Sequence, residues 1–127
     1  MSPSVPIPAQ SSEEILGRIR TSILEKTPVR VIYDGGTRLV CPQMMGRSRD
    51  GRVRILCLQI GGESGSGLLS SYEHDNWRCL ALEKLGSVMP ADAAWRSAGS
   101  SLRRPKCIDE IELEVTDQPE REPQNGQ

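Results

Sequence analysis

Residues 28–60, PVRVIYDGGTRLVCPQMMGRSRDGRVRILCLQI, decide the fold of this 127-residue chain. From Pro28 onward apolar residues recur at every second position, the period of a strand. Val29, Val31 and Tyr33 take one side, Arg30 and Ile32 the other. Asp34-Gly35-Gly36 reads as a hairpin turn, because glycine supplies the positive φ angles that tight hairpins demand. Thr37–Cys41 is the second strand, and Pro42, with no N–H to give a ladder, predicts a break or an edge position. Asp50-Gly51 is a further hairpin signal. It leads into Arg52–Ile60, apolar on both faces beyond Arg54, as a central strand is.

Upstream, Ser11-x-x-Glu14 is a capping box, a serine and a carboxylate spaced to satisfy the free amides of a helix start. Ile15, Leu16, Ile19, Ile23 and Leu24 then recur at helical spacing, predicting a helix over 12–26 that Pro28 ends. Such a helix is too short to stand alone and must pack on the strands after it. Downstream, Gly61–Gly67 (GGESGSG) reads as a flexible loop. A fourth strand over Asn76–Leu82, a turn at 83–86 and a fifth strand over Ser87–Met89 complete the pattern. Short strands joined by tight turns predict a mainly β fold, a small five-stranded antiparallel barrel over 28–89 carrying one N-terminal helix.

The ends differ in composition. Residues 1–10 hold three prolines and read as a disordered leader, and 117–127 as a disordered tail. Between them, 91–116 form an extension with one strand, Ile108–Val115, whose Ile111, Leu113 and Val115 face inward. From Lys106 to the end there are seven acids and two bases, a charge of −5. No apolar run nears the ~18 residues of a membrane span, and the N-terminus lacks the basic start and apolar stretch of a secretory signal. A cytoplasmic protein is expected.

Composition also bounds the chemistry. There is no Phe, so Leu, Ile and Val must build the core with two Trp and two Tyr. The cysteines, Cys41, Cys57, Cys79 and Cys107, form no CxxC pair, and His74 is the only histidine. That spacing does not suit zinc, and without a signal peptide a disulfide framework is not expected. Cys41, Cys57 and Cys79 lie in apolar strands, where burial is the expected role. His74 lies in a polar triplet, Glu73-His74-Asp75, that reads as a solvated turn and supplies no nucleophile with a base. The glycine loop lacks the lysine and following helix of a phosphate-cradling P-loop. No enzyme, metal or cofactor is expected.

Arginine is the residue type that stands out. Between 28 and 60 there are six basic and two acidic residues, a local charge of +4 in a chain whose net charge is −1. Arginine's planar fork pairs bidentately with phosphate or carboxylate. Strand alternation makes Arg38, Arg54 and Arg78 candidates to converge beside the glycine loop as an anion clamp. Tyr33, at the end of its strand, can offer its hydroxyl. Trp77 precedes Arg78 and points to the opposite face, which suits an anchor in the core.

The segments VRVIYDGGTRLVCPQMMG, DGRVRILCLQIGGESGSG and NWRCLALEKLGSV together resemble the WYL domain, a bacterial and archaeal module with an Sm-like, SH3-type barrel. The matching positions are Tyr33, Arg38, Pro42, Gly51, Arg54-Ile55-Leu56, Arg78 and Lys84, across about residues 15–90. Two departures are plain: Arg54-Ile55-Leu56 stands where the family has its Trp-Tyr-Leu triplet, and Cys79-Leu80 and Lys84 replace an aromatic and an arginine. The resemblance implies a domain over 11–90 that regulates transcription by sensing nucleotides or single-stranded nucleic acid through basic residues. With one helix before the barrel there is no helix-turn-helix, so a free-standing module is implied.

Two functional readings are open. In the first, the chain is a non-enzymatic ligand sensor that binds a nucleotide-like or nucleic-acid anion. In the second it is an adaptor that docks a partner protein, or a second copy, through a barrel edge or the acidic strand. An acidic strand over the basic face would argue for autoinhibition, and one that extends a sheet edge for assembly.

Overall fold

A computed structural model of the chain describes residues 10–62, 76–96 and 107–115. Among them are one helix, α1 (Ser12–Glu25), and six strands: β1 (Val29–Tyr33), β2 (Gly36–Arg47), β3 (Val53–Gly62), β4 (Trp77–Ala81), β5 (Leu85–Pro90) and β6 (Glu110–Glu114). A 3-10 turn, Leu82–Lys84, joins β4 to β5. Every pairing is antiparallel, and the strands form one open sheet in the order β4-β3-β2-β1-β5 with β6 on β2. The five strands read over 28–89 and the one read over 108–115 are all present, joined in one open antiparallel sheet. Of the segments read from sequence, residues 1–9, 63–75, 97–106 and 116–127 lie outside the described residues; these hold most of the leader and the glycine loop, the His74 triplet and the tail.

The capping box forms as read. The Glu14 N–H donates to the Ser11 hydroxyl at 3.1 Å, and the Ser11 N–H donates to the Glu14 carboxylate at 3.1 Å. α1 ends one residue short of Lys26, which caps it in the left-handed region at φ 54°. Ile15, Ile19 and Ile23 are buried, whereas Leu24, expected on the same face, is 65% exposed. Successive helical residues lie about 100° apart, so Ile23 and Leu24 cannot both centre on one stripe. Ser22 takes the inward place, its hydroxyl donating to the Thr27 carbonyl at 2.6 Å.

Asp34 (φ 52°) and Gly35 (φ 88°) make a two-residue turn closed by the Tyr33–Gly36 pair, so that hairpin stands. β2 corrects the reading of Pro42, which does not end the strand. Val40 is the last β2 residue paired with β1 and Met44 the first paired with β6. Pro42 falls in the gap, where that edge calls for no donor. A bulge between Pro42 and Met44 turns Gln43 into the protein. Its Nε2 donates to the Cys41 and Arg96 carbonyls, both at 3.0 Å, and so ties residues 91–96 to the sheet with Trp95 against the core.

β3 is buried from Ile55 to Gln59, as a central strand should be. Gly61 and Gly62, expected in the loop, instead pair with Leu39 and Arg38. β6 is shorter than the 108–115 expected, but buried Ile108 and Val115 flank it. Gln10, expected in the disordered leader, is placed on β5: its amide accepts from the Val88 N–H at 3.0 Å and donates to the Val88 carbonyl at 3.3 Å.

The sheet has two working faces. On the inner face Val29, Val31, Val40, Met45, Ile55, Cys57, Leu80 and Val88 pack with the α1 isoleucines. On the outer face Met44, Leu56 and Ile108 form a smaller cluster with Trp77, Cys107 and Ile111.

Candidate functional site

Register decides which arginines meet. Directly paired residues of an antiparallel ladder project to the same face. Arg38 pairs with Val31 and Arg78 with Cys57, and both partners lie in the inner core, so both guanidinium groups rise from the inner face. Tyr33 shares that face two residues after Val31, and the Arg38 Cζ lies 4.9 Å from its ring centroid. Such a stack stabilises the arginine's position by about 0.5–1 kcal/mol. Beyond the ring, the Tyr33 hydroxyl accepts the Ala81 N–H at 3.0 Å, which ties the end of β1 to the end of β4.

Arg38 and Arg78 are near enough to feel each other. Burial first, and the positive charge of Arg38 second, hold the Arg78 guanidinium below its ordinary pKa. Arg78 donates to the Trp77 carbonyl at 2.9 Å. The Nε–H of Arg38 is buried and has no acceptor. A buried donor left unmade costs about 1–3 kcal/mol, more when charged, so this arrangement does not serve stability. Arg38 also pairs with Gly62, whose φ of 82° lets the two backbones close up. A Cβ on Gly62 would lie 2.6 Å from the Thr37 carbonyl oxygen and 2.7 Å from the Arg38 Cα.

Arg54 does not join them. It pairs with Gly46 and Ala81 on the outer face, one residue out of step with inward Ile55. There its Nη1 lies 3.3 Å from the Glu83 carboxylate, which Arg52 also approaches at 3.5 Å. Glu83 is held below the usual carboxylate range by its own backbone N–H first, then by Arg54 and Arg52. Of the three arginines, Arg38 and Arg78 share the inner face with Tyr33, and Arg54 lies on the outer face. Sequence alone shows Glu83 only as part of a turn, although it lies two residues beyond the Ala81 that pairs with Arg54.

The cysteines divide two and two. Cys41 and Cys57 are buried and lie outside the disulfide, as expected. Burial chiefly, and then Cys41, push the Cys57 thiol far up, against a small opposing pull from Arg38, so it stays protonated and inert. Cys79, expected to be buried, is exposed instead, and it is bonded to Cys107 as a disulfide. The correction comes from parity: next to inward Arg78, Cys79 must point outward. Trp77 shares the outer face, half-buried against Met44, Leu56 and Ile108.

An open depression on the outer face, lined by Ser48, Arg49, Asp50, Arg54, Cys107 and Asp109, mixes both charges and presents no anion site. Among the described residues no group of three His, Cys, Asp or Glu could hold a metal ion, and no helix is long and apolar enough to cross a membrane. Comparison of the chain with protein-family models, curated proteins and solved structures finds no match.

Proposed function

We propose that this chain is a non-enzymatic, WYL-like regulatory domain that binds a nucleotide-like or nucleic-acid anion through Arg38 and Arg78 beside Tyr33. The observation that carries the reading is the inward pair of guanidinium groups, one with a buried Nε–H that lacks an acceptor. An anion supplies what that pair costs: it screens two like charges and accepts a buried donor. An Sm-like, SH3-type barrel is the finer fold reading. It is supported by β5 returning to β1 after a single 3-10 turn, and by the Tyr33 hydroxyl reaching across to β4. A cytoplasmic role in prokaryotic gene regulation accompanies the reading.

The test is binding of a labelled single-stranded oligonucleotide and of nucleotides, by fluorescence anisotropy and calorimetry. Arg38→Ala and Arg78→Ala should each lose about tenfold or more in affinity, the scale of one charge-assisted hydrogen bond, and should lower the salt dependence. Arg54→Ala should bind as the parent does. Equal losses in all three, or no binding by the parent, would overturn the proposal.

One observation favours the adaptor reading as the runner-up. The acidic β6 lies along β2 at Met44–Arg47, the opposite end of the strand from Arg38, and so extends a strand pairing without pairing at Arg38. Retention of a partner protein by the parent, lost when β6 is displaced and unaffected by Arg38→Ala, would put that reading first.

A further inference from the structure

We infer that Cys79 and Cys107 are a thiol–disulfide switch that latches the C-terminal strand β6 onto β2. The two residues are 28 apart in sequence, with Cα atoms 6.7 Å apart. Cys79 stands on the outer face of β4, exposed; Cys107, half-buried, packs with Met44, Leu56 and Ile108 just before β6. The bond therefore runs from the edge of the sheet to the entry of the one strand that pairs with neither β1 nor β3.

Without the bond, only non-covalent contacts hold that strand to β2. β6 is five residues long, and its glutamates face out. The Asp109 N–H donates to the Arg47 carbonyl at 2.8 Å and the Val115 N–H to the Gln43 carbonyl at 2.7 Å. One exposed ion pair, Arg47–Glu112 at 2.9 Å, is added, and such pairs hold weakly. Ile108 and Val115 supply the buried anchors. Short edge strands held this way occupy the low end of local stability. A covalent tie beside Ile108 decides whether the strand stays paired.

Chemistry separates this pair from the other two thiols. Cys79 is exposed to a reagent thiolate, whereas Cys41 and Cys57 are buried. Attack on Cys79 forms a mixed disulfide, and Cys107 leaves as a thiolate that takes a proton. The second thiol of a dithiol reductant then displaces Cys79. The reductant closes to its own disulfide, and the chain gains two electrons and two protons. In reverse, a small disulfide oxidant accepts them and is released as two thiols. In a compartment buffered by glutathione the latch would stand open until oxidant reaches it. Opening bares Met44, Leu56 and Ile108 together with the backbone edge of β2 at Met44–Arg47. The inference is independent of the anion site, which lies on the other face.

The test treats the full chain with oxidised glutathione or with dithiothreitol and tracks alkylation by mass and amide exchange by hydrogen–deuterium labelling. After oxidation, a linked Cys79–Cys107 peptide should appear, and neither residue should alkylate. After reduction both should alkylate, with Cys41 and Cys57 reacting only in denaturant. Amides of Asp109 and Val115 should exchange about tenfold faster or more in the reduced chain, while those of Val31 and Ile55 keep their protection. Cys79→Ser and Cys107→Ser should each show the fast exchange whatever the redox reagent. Alkylation of both residues after oxidation, equal exchange in the two states, or loss of core protection on reduction would each overturn the latch.

Discussion

The two ends of β2 hold arginines in opposite circumstances. At the C-terminal end Arg47 meets Glu112 at 2.9 Å, and across the neighbouring hairpin Arg52 and Arg54 share Glu83 at 3.5 and 3.3 Å. At the N-terminal end Arg38 stacks on Tyr33, faces Arg78, and keeps a buried Nε–H with no acceptor. Locally the sequences look alike, arginines set among β-branched and aliphatic residues. The difference comes from what the chain brings over them: the 3-10 turn delivers Glu83, and β6 delivers Glu112. Arginine density alone is therefore not a site. The proposed site is where like charges share one face and a buried donor has no acceptor.

The largest effects should come from the glycines that let backbone close in at each end. A Cβ on Gly46 would strike the Glu110 carbonyl and the Ile108 side chain. Gly46→Val should cost about 1–3 kcal/mol by overpacking and expel β6, read as a lower melting temperature and lost protection at Asp109 and Val115. Gly62→Ala should cost about 1–2 kcal/mol, since φ 82° puts the new Cβ against Thr37 and Arg38. It should weaken oligonucleotide binding while β6 stays protected. If both variants lose both properties, the two ends are one cooperative unit and the comparison fails.

How much of this contrast the sequence carries depends on the range of the interaction. The capping box, the Asp34-Gly35 turn and the two-sided burial of β3 are set by neighbours within a few residues, and all three are legible. The side of Arg38 and Arg78 is half legible: alternation fixes each residue's face relative to its neighbours. Which faces of different strands coincide depends on register, and register here shifts at bulges after Leu39 and Pro42. Glu83 over Arg54, Gln43 bonded to the Arg96 carbonyl, and Cys79 beside Cys107 link residues 28 to 53 positions apart. No periodicity reports such contacts. Leu24 departs from expectation for a simpler reason, that an apolar residue at a stripe's margin need not be inside.

The tyrosine hydroxyl offers an effect of middle size. Tyr33→Phe keeps the ring under Arg38 and removes the acceptor of the Ala81 N–H, itself a buried residue. The expected loss is about 1–2 kcal/mol in a urea titration, for one part-buried donor left unmade. Oligonucleotide affinity should change much less than in Arg38→Ala. An affinity loss as large as that of Arg38→Ala would mean that the hydroxyl itself holds the ligand.

A double-mutant cycle at each end should differ in sign. For Arg54 and Glu83 the coupling should be favourable and small, as partly exposed pairs are, and should shrink as salt rises. For Arg38 and Arg78 the coupling should be unfavourable, two like charges raised from one face. Salt should relieve that repulsion, and a saturating oligonucleotide should reverse it. A favourable coupling between the two arginines would remove the physical argument for an anion between them.

The smallest effect, and the most selective, is acid. Glu83 is held below the usual carboxylate range by its own N–H, then by Arg54 and Arg52. Its folded pKa is thus depressed relative to the unfolded chain, where a glutamate titrates near about 4.3. The unfolded state binds the proton first, so Glu83 contributes stability that is fully present above that value and is lost as pH falls through the folded pKa. Asp50, held down chiefly by the Ser48 hydroxyl, has the same sign. Urea midpoints of the parent and of Glu83→Gln, measured from about pH 6 down to about pH 3, should therefore converge as the carboxylate is protonated. If the Glu83→Gln offset is instead constant with pH, the turn places a carboxylate near Arg54 without coupling to it, and the two ends of β2 differ less than their geometry implies.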